Sequence, residues 1–426
     1  MTDTATSNDA PSSQDRALRV GVLGDGQLAR MMAPAAIELG IELKLLAGSP
    51  ESSAAQVIAE STPGDYRDAD AVVRFARGLD VVTFDHEHVP ADVLAALEAE
   101  GIAMHPKPAA LTYAQDKLRM RAAVDGLGLP NPAWAEVRSV QELTDFAQQH
   151  GWPVVLKTPR GGYDGKGVRV VRDHAAAEQT QDWFDRAAAS GTSGLLAEEA
   201  VPFVRELSAQ VARSASGEIR SYPVVESTQT DGVCDEVIAP APHTAAELLE
   251  HSAAIAATVA EKLDVTGMLA VELFEVGGGG SMAPGIYVNE LAMRPHNSGH
   301  WSMDGAITGQ FEQHLRAVLG LPLGETNPVG GAGGFTVMKN LLGGSNPHIH
   351  AAVPAAMACD PGAKIHLYGK EARPGRKIGH VNLVSQLTSQ DRAEDAAAES
   401  AAGAVRLQHC VEAARTVAAL ITEGDR

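Results

Sequence analysis

The chain has few aromatics, few cysteines and no long apolar run, and it carries no excess of positive charge. Phe, Trp and Tyr make up 4% of its 426 residues, so its cores must be built from Ala, Val and Leu. The three cysteines, Cys234, Cys359 and Cys410, are odd in number and lack Cys-x-x-Cys spacing. That argues against a disulfide framework and a structural zinc site, and for a reducing, cytoplasmic compartment. No stretch approaches about eighteen consecutive apolar residues, so no membrane-spanning helix is expected. The formal net charge of -20 argues against sequence-independent binding to nucleic acid or an anionic membrane, both of which need basic patches. Residues 1–17, rich in Ser, Thr, Asp and Pro, have neither an apolar nor an Arg-rich targeting pattern and read as a disordered tail.

What is present is an α/β pattern. LRVGVLG is a short apolar strand, Gly24 and Gly26 make a tight turn, and QLARMMAPAAIELG follows as a helix ending at Gly40. Such a unit holds an anion at the helix N-terminus. A dinucleotide enzyme would place an acid at the end of the next strand, IELKLLAG, to bind ribose hydroxyls. Ala47, Gly48 and Ser49 stand there, with Glu51 late, which weakens the dinucleotide reading. A third strand, LDVVTF, ends in Asp85, His86, Glu87 and His88, where α/β sheets bind ligands. In an extended segment these side chains would alternate, so one alternating pair, or Asp85 with His88, converges without a bend. A ligand-binding loop is the favoured reading over a metal site.

The second region differs in character. SVQELTDFAQQHG carries a capping box, Ser139 with Glu142, and stops at Gly151. WPVVLKTPRGGYDGKGVRVV then gives a strand containing Lys157, a Gly-rich turn from Gly161 to Gly167, and a second strand. The turn fails the P-loop pattern, because Arg160 replaces the first glycine and no Ser or Thr follows Lys166. A flap whose amides and Lys166 face phosphates exceeds what a plain hairpin turn needs. LLAEEAVPFVRELSAQVARS reads as two short strands around a turn, with Glu198, Glu199 and Glu206 available for ribose hydroxyls or solvent. TAAELLEHSAAIAATVAEKLDV is an amphipathic helix with an expected capping box at Thr244 and Glu247.

In GMLAVELFEVGGGGSMAPGIYVNELAM two apolar strands flank a Gly-rich loop, an expected antiparallel hairpin. A loop centred near residue 281 sets Glu272 opposite Glu290 with Cβ atoms about 5 Å apart. Two acids inside apolar strands repel unless a cation lies between them, and magnesium, which takes one or two carboxylates and substrate phosphates, fits. Asn289 could add an oxygen. The polar run Arg294, His296, Asn297, Ser298 and His300 follows at once. Lys370, Arg373, Arg376 and Lys377 form a basic cluster in an acidic chain, pointing to an anionic small ligand such as a sugar phosphate.

Together GVLGDGQLARM, GGYDGKG, VELF, RPHNSGHW, FEQHLRAVLGLPLG and YGKEARPGRKIGH make the chain resemble the ATP-grasp enzymes. Within them it resembles the 5-(carboxyamino)imidazole ribonucleotide synthase family of de novo purine biosynthesis, over essentially everything after the tail. The resemblance implies a mixed α/β ATP-grasp fold with an N-terminal Rossmann-like parallel-sheet domain (18–118), an ATP-grasp domain (119–320, lid about 132–201) and a small β-rich C-terminal domain (321–426). It also implies a homodimer, ATP and Mg2+ as cofactors, and 5-aminoimidazole ribonucleotide and bicarbonate as substrates.

Carried over by position, the resemblance assigns ATP binding to Lys117, Lys157, Gly162, Tyr163, Asp164, Gly165, Lys166, Gly167, Val168, Glu198, Glu199, Ala200, Val201, Glu206, Gln229, Asn289 and Glu290. Glu272 and Glu290 match the magnesium ligands. Gln27, Leu28, Asp85, Tyr163, Arg294, Lys370, Arg376 and Lys377 would surround the ribonucleotide. Apart from what the resemblance assigns, Arg294, His296 and Asn297 are expected to orient carboxyphosphate and handle the proton, with Lys370 counted among the catalytic groups. Three positions depart from many relatives: Asp85 for Glu, Met293 for Pro, and Gln229 for a His that faces the nucleotide. Alternatives are another ATP-grasp ligase, such as a formate-dependent ribonucleotide transformylase or a biotin-carboxylase-like enzyme, and a nucleotide-sensing binding protein. RPHNSGHW followed by FEQHLRAVLGLPLG argues against the first, and Glu272 opposite Glu290 against the second.

Overall fold

The computed structural model describes residues 16–162, 167–192, 194–278, 282–331, 333–385 and 401–424. The tail expected over residues 1–17 falls almost wholly outside them, as do Tyr163, Asp164, Gly165 and Lys166 of the Gly-rich turn. Three sheets organise the chain. The first is parallel: β1 (Arg19–Leu23), β2 (Glu42–Ala47), β3 (Glu60–Pro63) and β4 (Val81–Phe84), in the order β3-β2-β1-β4. Buried Val22, Leu45 and Met32 pack on one side and Leu23, Val82 and Phe84 on the other, as expected when helices cover both faces.

The second sheet comprises β5 (Trp134–Val137), β6 (Val154–Lys157), β7 (Val168–Val171) and β8 (Leu195–Glu199), in the antiparallel order β5-β8-β6-β7. Lys157 pairs with Val168, so β6 and β7 are antiparallel neighbours. The helix Val140–His150 packs here, with Ser139 Oγ accepting from the Glu142 N–H at 3.1 Å.

The third sheet has nine strands: β9 (Phe203–Arg213), β10 (Ile219–Ser221), β11 (Val225–Thr230), β12 (Val233–Ala239), β13 (Gly267–Val276), β14 (Gly285–Ala292), β15 (Thr336–Leu342), β16 (Lys364–Leu367) and β17 (Lys377–Val384). Its order is β14-β13-β9-β11-β12-β15-β17-β16, with β10 on β9. The segment read as two strands around a turn is therefore a crossing: β8 ends the second sheet and β9 begins the third. The helix Ala246–Lys262 lies on β9 and β13 through Ile255, Val259 and Val211. Its start corrects the sequence reading. The N-cap is Ala245, and Thr244 Oγ1 donates instead to the Pro242 carbonyl at 3.1 Å, so the Thr244–Glu247 box does not form.

Buried His314, on the helix Gln310–Val318, joins the first sheet to the third. Its Nδ1 accepts from the Met268 N–H at 3.1 Å, which leaves the proton on Nε2 to donate to Thr83 Oγ1 at 2.8 Å. Burial pushes the imidazole down to about 3, so it stays neutral. Among the described residues no helix is long and apolar enough to cross a membrane.

Candidate active site

A cavity of about 1030 Å³ opens where the three sheets meet. At its floor lies the β13–β14 hairpin. The ladder sets Glu272 opposite Glu290, as the spacing predicts, with a register shift immediately after Glu272. Burial, then the neighbouring charge of Glu290, pushes the Glu272 carboxyl up to about 8. Lys117 Nζ lies 2.8 Å from Glu290. His296 Nε2 lies 3.4 Å from Glu272, while its Nδ1 accepts from the Ser298 N–H at 3.4 Å and lies 2.8 Å from Ser298 Oγ. Burial, with Arg294 and Lys377 nearby, holds this imidazole well below its ordinary value.

A second constellation centres on buried Glu198 at the end of β8. It receives Lys157 Nζ at 2.6 Å and Arg121 Nε at 2.5 Å. Burial opposes its ionisation, but Lys157 and Arg121 outweigh burial and hold the carboxyl down at about 2. Arg121 also donates to the Val288 and Asn289 carbonyls at 2.6 and 2.9 Å, so one guanidinium ties β8 to β14. Glu206 faces Gln229, and burial raises its carboxyl to about 7. Glu199, Ala200, Val201, Gly162, Val168 and Asn289 line the same cavity.

A third group comes from the first sheet. The Gly26 N–H donates a short hydrogen bond to Asp85. A Cβ on Gly26 would stand 2.6 Å from Asp85 Oδ2, and one on Gly24, at φ +105°, 2.9 Å from Asp85 Cβ. The glycines of GVLGDGQLARM thus admit the carboxylate of Asp85, the residue that follows β4. Asp85, His86, Glu87 and His88 all line the cavity, because the chain bends after Phe84 and the extended-segment alternation does not apply. Gln27 and Leu28 line it too, and Lys370 Nζ donates to Gln27 Oε1.

Of the expected residues, Lys117, Lys157, Glu198, Glu206, Gln229, Glu272, Glu290, Asp85, Arg294, His296, Asn297 and Lys377 line this one cavity. Lys370 reaches it through Gln27. Gly167 is described but lies off the lining. Arg376 is exposed, and its Nη1 donates to the Glu371 carbonyl at 3.3 Å, so it does not join the others. Glu87, from the ligand-binding loop read at residues 85–88, and His300, from the polar run after Arg294, line the cavity as well, whereas Arg121 and Cys234 carried no such expectation. A signal existed for Arg121, four residues after Lys117 and so on the same face of the helix Lys117–Gly126.

Three family models match the chain: a ribonucleotide synthetase preATP-grasp domain over residues 17–115, an ATP-grasp domain over 122–311, and a phosphoribosylaminoimidazole carboxylase C-terminal domain over 336–394. Fold and site together define an ATP-grasp ligase. An N5-carboxyaminoimidazole ribonucleotide synthase of Corynebacterium ammoniagenes is 47% identical over 369 residues, covering 86% of this chain and 87% of the relative. The crystal structure of N5-carboxyaminoimidazole ribonucleotide synthetase from Thermus thermophilus superposes with a TM-score of 0.78 at 37% identity, covering 95% and 98% of the two chains. The Aspergillus clavatus enzyme in complex with ADP and 5-aminoimidazole ribonucleotide gives 0.76 at 28% identity, covering 94% and 99%. The chain belongs to the family of N5-carboxyaminoimidazole ribonucleotide synthases, the ATP-dependent carboxylation step of purine biosynthesis.

Proposed function

We propose that this chain carboxylates the exocyclic amine of 5-aminoimidazole ribonucleotide with bicarbonate, through carboxyphosphate, releasing ADP and phosphate. The observation that carries the reading is the single cavity shared by three groups: Lys117, Lys157 and Glu198; Glu272 and Glu290; and Gln27, Asp85 and Arg294. The ribonucleotide, ATP and bicarbonate held there together react without leaving the protein.

The donor set at β13–β14 fits magnesium. Glu272 and Glu290 are hard oxygen ligands facing each other across a ladder, and burial with the neighbouring Glu290 charge raises the Glu272 carboxyl, a repulsion that a bound cation would relieve. Glu272 and Glu290 would hold the ion, with Asn289 beside them. When bound, the ion would neutralise charge on the terminal phosphates of ATP. Lys117 and Lys157, which line the cavity, would offset phosphate charge, and Glu198, Ala200 and Val201 would face the nucleotide. A bicarbonate oxygen attacks the γ-phosphorus and ADP leaves. The substrate amine then attacks the carboxyl carbon of carboxyphosphate, or carbon dioxide released from it, and phosphate departs. Arg294 and Asn297 orient the anion. Both polar atoms of the Asn297 carboxamide are buried and, among the described residues, have no hydrogen-bond partner, in a side chain lining the cavity, which suits them to a ligand. His296, with its proton on Nε2 toward Glu272, is placed to hold or pass a proton. Gln27, Asp85, Lys370 and Lys377 serve the ribonucleotide.

The test is ADP release with ATP, magnesium and bicarbonate, with and without 5-aminoimidazole ribonucleotide. Strong stimulation, with loss on Arg294→Ala, is expected; turnover indifferent to the ribonucleotide would assign another acceptor. The division at residues 118 and 320, a homodimer and a cytoplasmic location belong to the same reading, and light scattering of the purified chain tests the dimer.

A further inference from the structure

Glu87, in the loop after β4, makes a direct ion pair with a cation that follows a strand of the third sheet. Its carboxylate lies 2.9 Å from Arg294 Nε, and both side chains are largely withdrawn from solvent. The loop that carries it is held by Gln115, whose Nε2 donates to the Glu87 and Val89 carbonyls at 2.8 and 2.9 Å. Arg294 follows β14, and its Nη1 donates to the Pro295 carbonyl at 3.2 Å. Nε and one of the two Nη1 protons are thus engaged, and Nη2 makes no hydrogen bond to a described residue.

A guanidinium is a planar fork, and fixing one edge fixes the direction of the other. We propose that Glu87 is a positioning residue: it holds the Nε edge of Arg294 so that Nη2 is presented to the reacting anion. The ion pair also makes that presentation depend on the first and third sheets being correctly docked, since Glu87 belongs to one and Arg294 to the other. This inference rests on the reading of Arg294 given above.

The inference is tested with the full chain and three variants: Glu87→Gln, Arg294→Lys and the double substitution. Each is assayed for ribonucleotide-stimulated ADP release, with kcat and the KM for ATP determined separately. Lysine cannot offer a planar fork, so it removes the geometry that Glu87 controls while keeping the charge. The expected result for Glu87→Gln is a kcat lowered roughly ten- to hundredfold, with the KM for ATP within about twofold of the parent. In the Arg294→Lys background the same change is expected to have little further effect. Full turnover in Arg294→Lys alone would overturn the role of Arg294 and this inference with it. An impaired Arg294→Lys combined with a neutral Glu87→Gln, or with losses that multiply in the double variant, would overturn the Glu87 assignment while leaving Arg294 in place. A merely structural Glu87 would lower the melting temperature and spare kcat in the folded fraction, so thermal melting accompanies each assay.

Discussion

Asp85 carries two opposed demands. Burial pushes its carboxyl up from an ordinary 3.8 to about 6, although the Gly26 N–H, Arg294 and Lys370 pull the other way. An acid whose folded value is raised binds its proton more tightly in the native state. Stability is therefore greatest at low pH and is lost as pH rises from about 4 through 6. The loss can reach about 3 kcal/mol at pH 7, since each unit is worth about 1.4 kcal/mol. Asp85→Asn, which keeps an acceptor for Gly26, should remove this contribution and raise the melting temperature more at pH 7 than at pH 5. Equal shifts at the two values would mean that Asp85 is not strained by burial. The same variant should weaken ribonucleotide use, because its carboxylate is the charge that the glycine turn was built to admit.

At the scale of elements, Arg121 shows how one side chain sets the distance between two strands. It is fully buried and binds Glu198 on β8 and two carbonyls of β14. Arg121→Met should cost about 3–5 kcal/mol, because Glu198 would keep only Lys157. It should also raise the KM for ATP by releasing β8, whose end lines the nucleotide side; an unchanged melting temperature in urea or heat would refute this. Gly267 tests a different contact. It sits at φ +112°, and a Cβ there would stand 2.9 Å from the His314 ring that joins the first and third sheets. Gly267→Ala should destabilise by about 2–4 kcal/mol, from backbone strain and the displaced imidazole together, as thermal unfolding would report.

These elements also show what could be read in advance. The Glu272–Glu290 pairing was legible because hairpin register follows from a loop centre and two apolar runs. The strand, turn and helix around Gly24 were legible from local punctuation. Glu87 and His300 were legible as members of a ligand loop and a polar run, but the pairing of Glu87 with Arg294 was not, and neither was His314, because those partners lie far off in sequence. Thr244 failed as a cap because the helix begins one residue later, with Ala245 at the N-cap, which sets Thr244 outside the first turn. The alternation rule failed at 85–88 because it assumes a strand that had already ended at Phe84.

Across the whole molecule the third sheet runs without interruption from the carboxylate hairpin at β14 to β17, where Lys377 enters the cavity. Its far end is covered by the helix Ala401–Glu423. Val417, Ala418 and Ile421 fill a cluster with Leu341, Ile349, Ile378 and Val381, and Arg415 reaches Glu236 on β12 through two bonds of 2.8 and 2.9 Å. Magnitudes decide which contact holds the helix. Three buried apolar side chains are worth on the order of 5 kcal/mol. The Arg415 side chain is 57% exposed, so its pair is worth about 1 kcal/mol after screening. A chain stopped after residue 400 should therefore aggregate or melt far below the parent, and any folded remainder should have poor ribonucleotide use as β17 loosens. Arg415→Ala should shift melting only slightly and leave turnover intact. If that single substitution were as damaging as the truncation, the ion pair and not the packed face would be what fixes the end of the sheet that delivers Lys377.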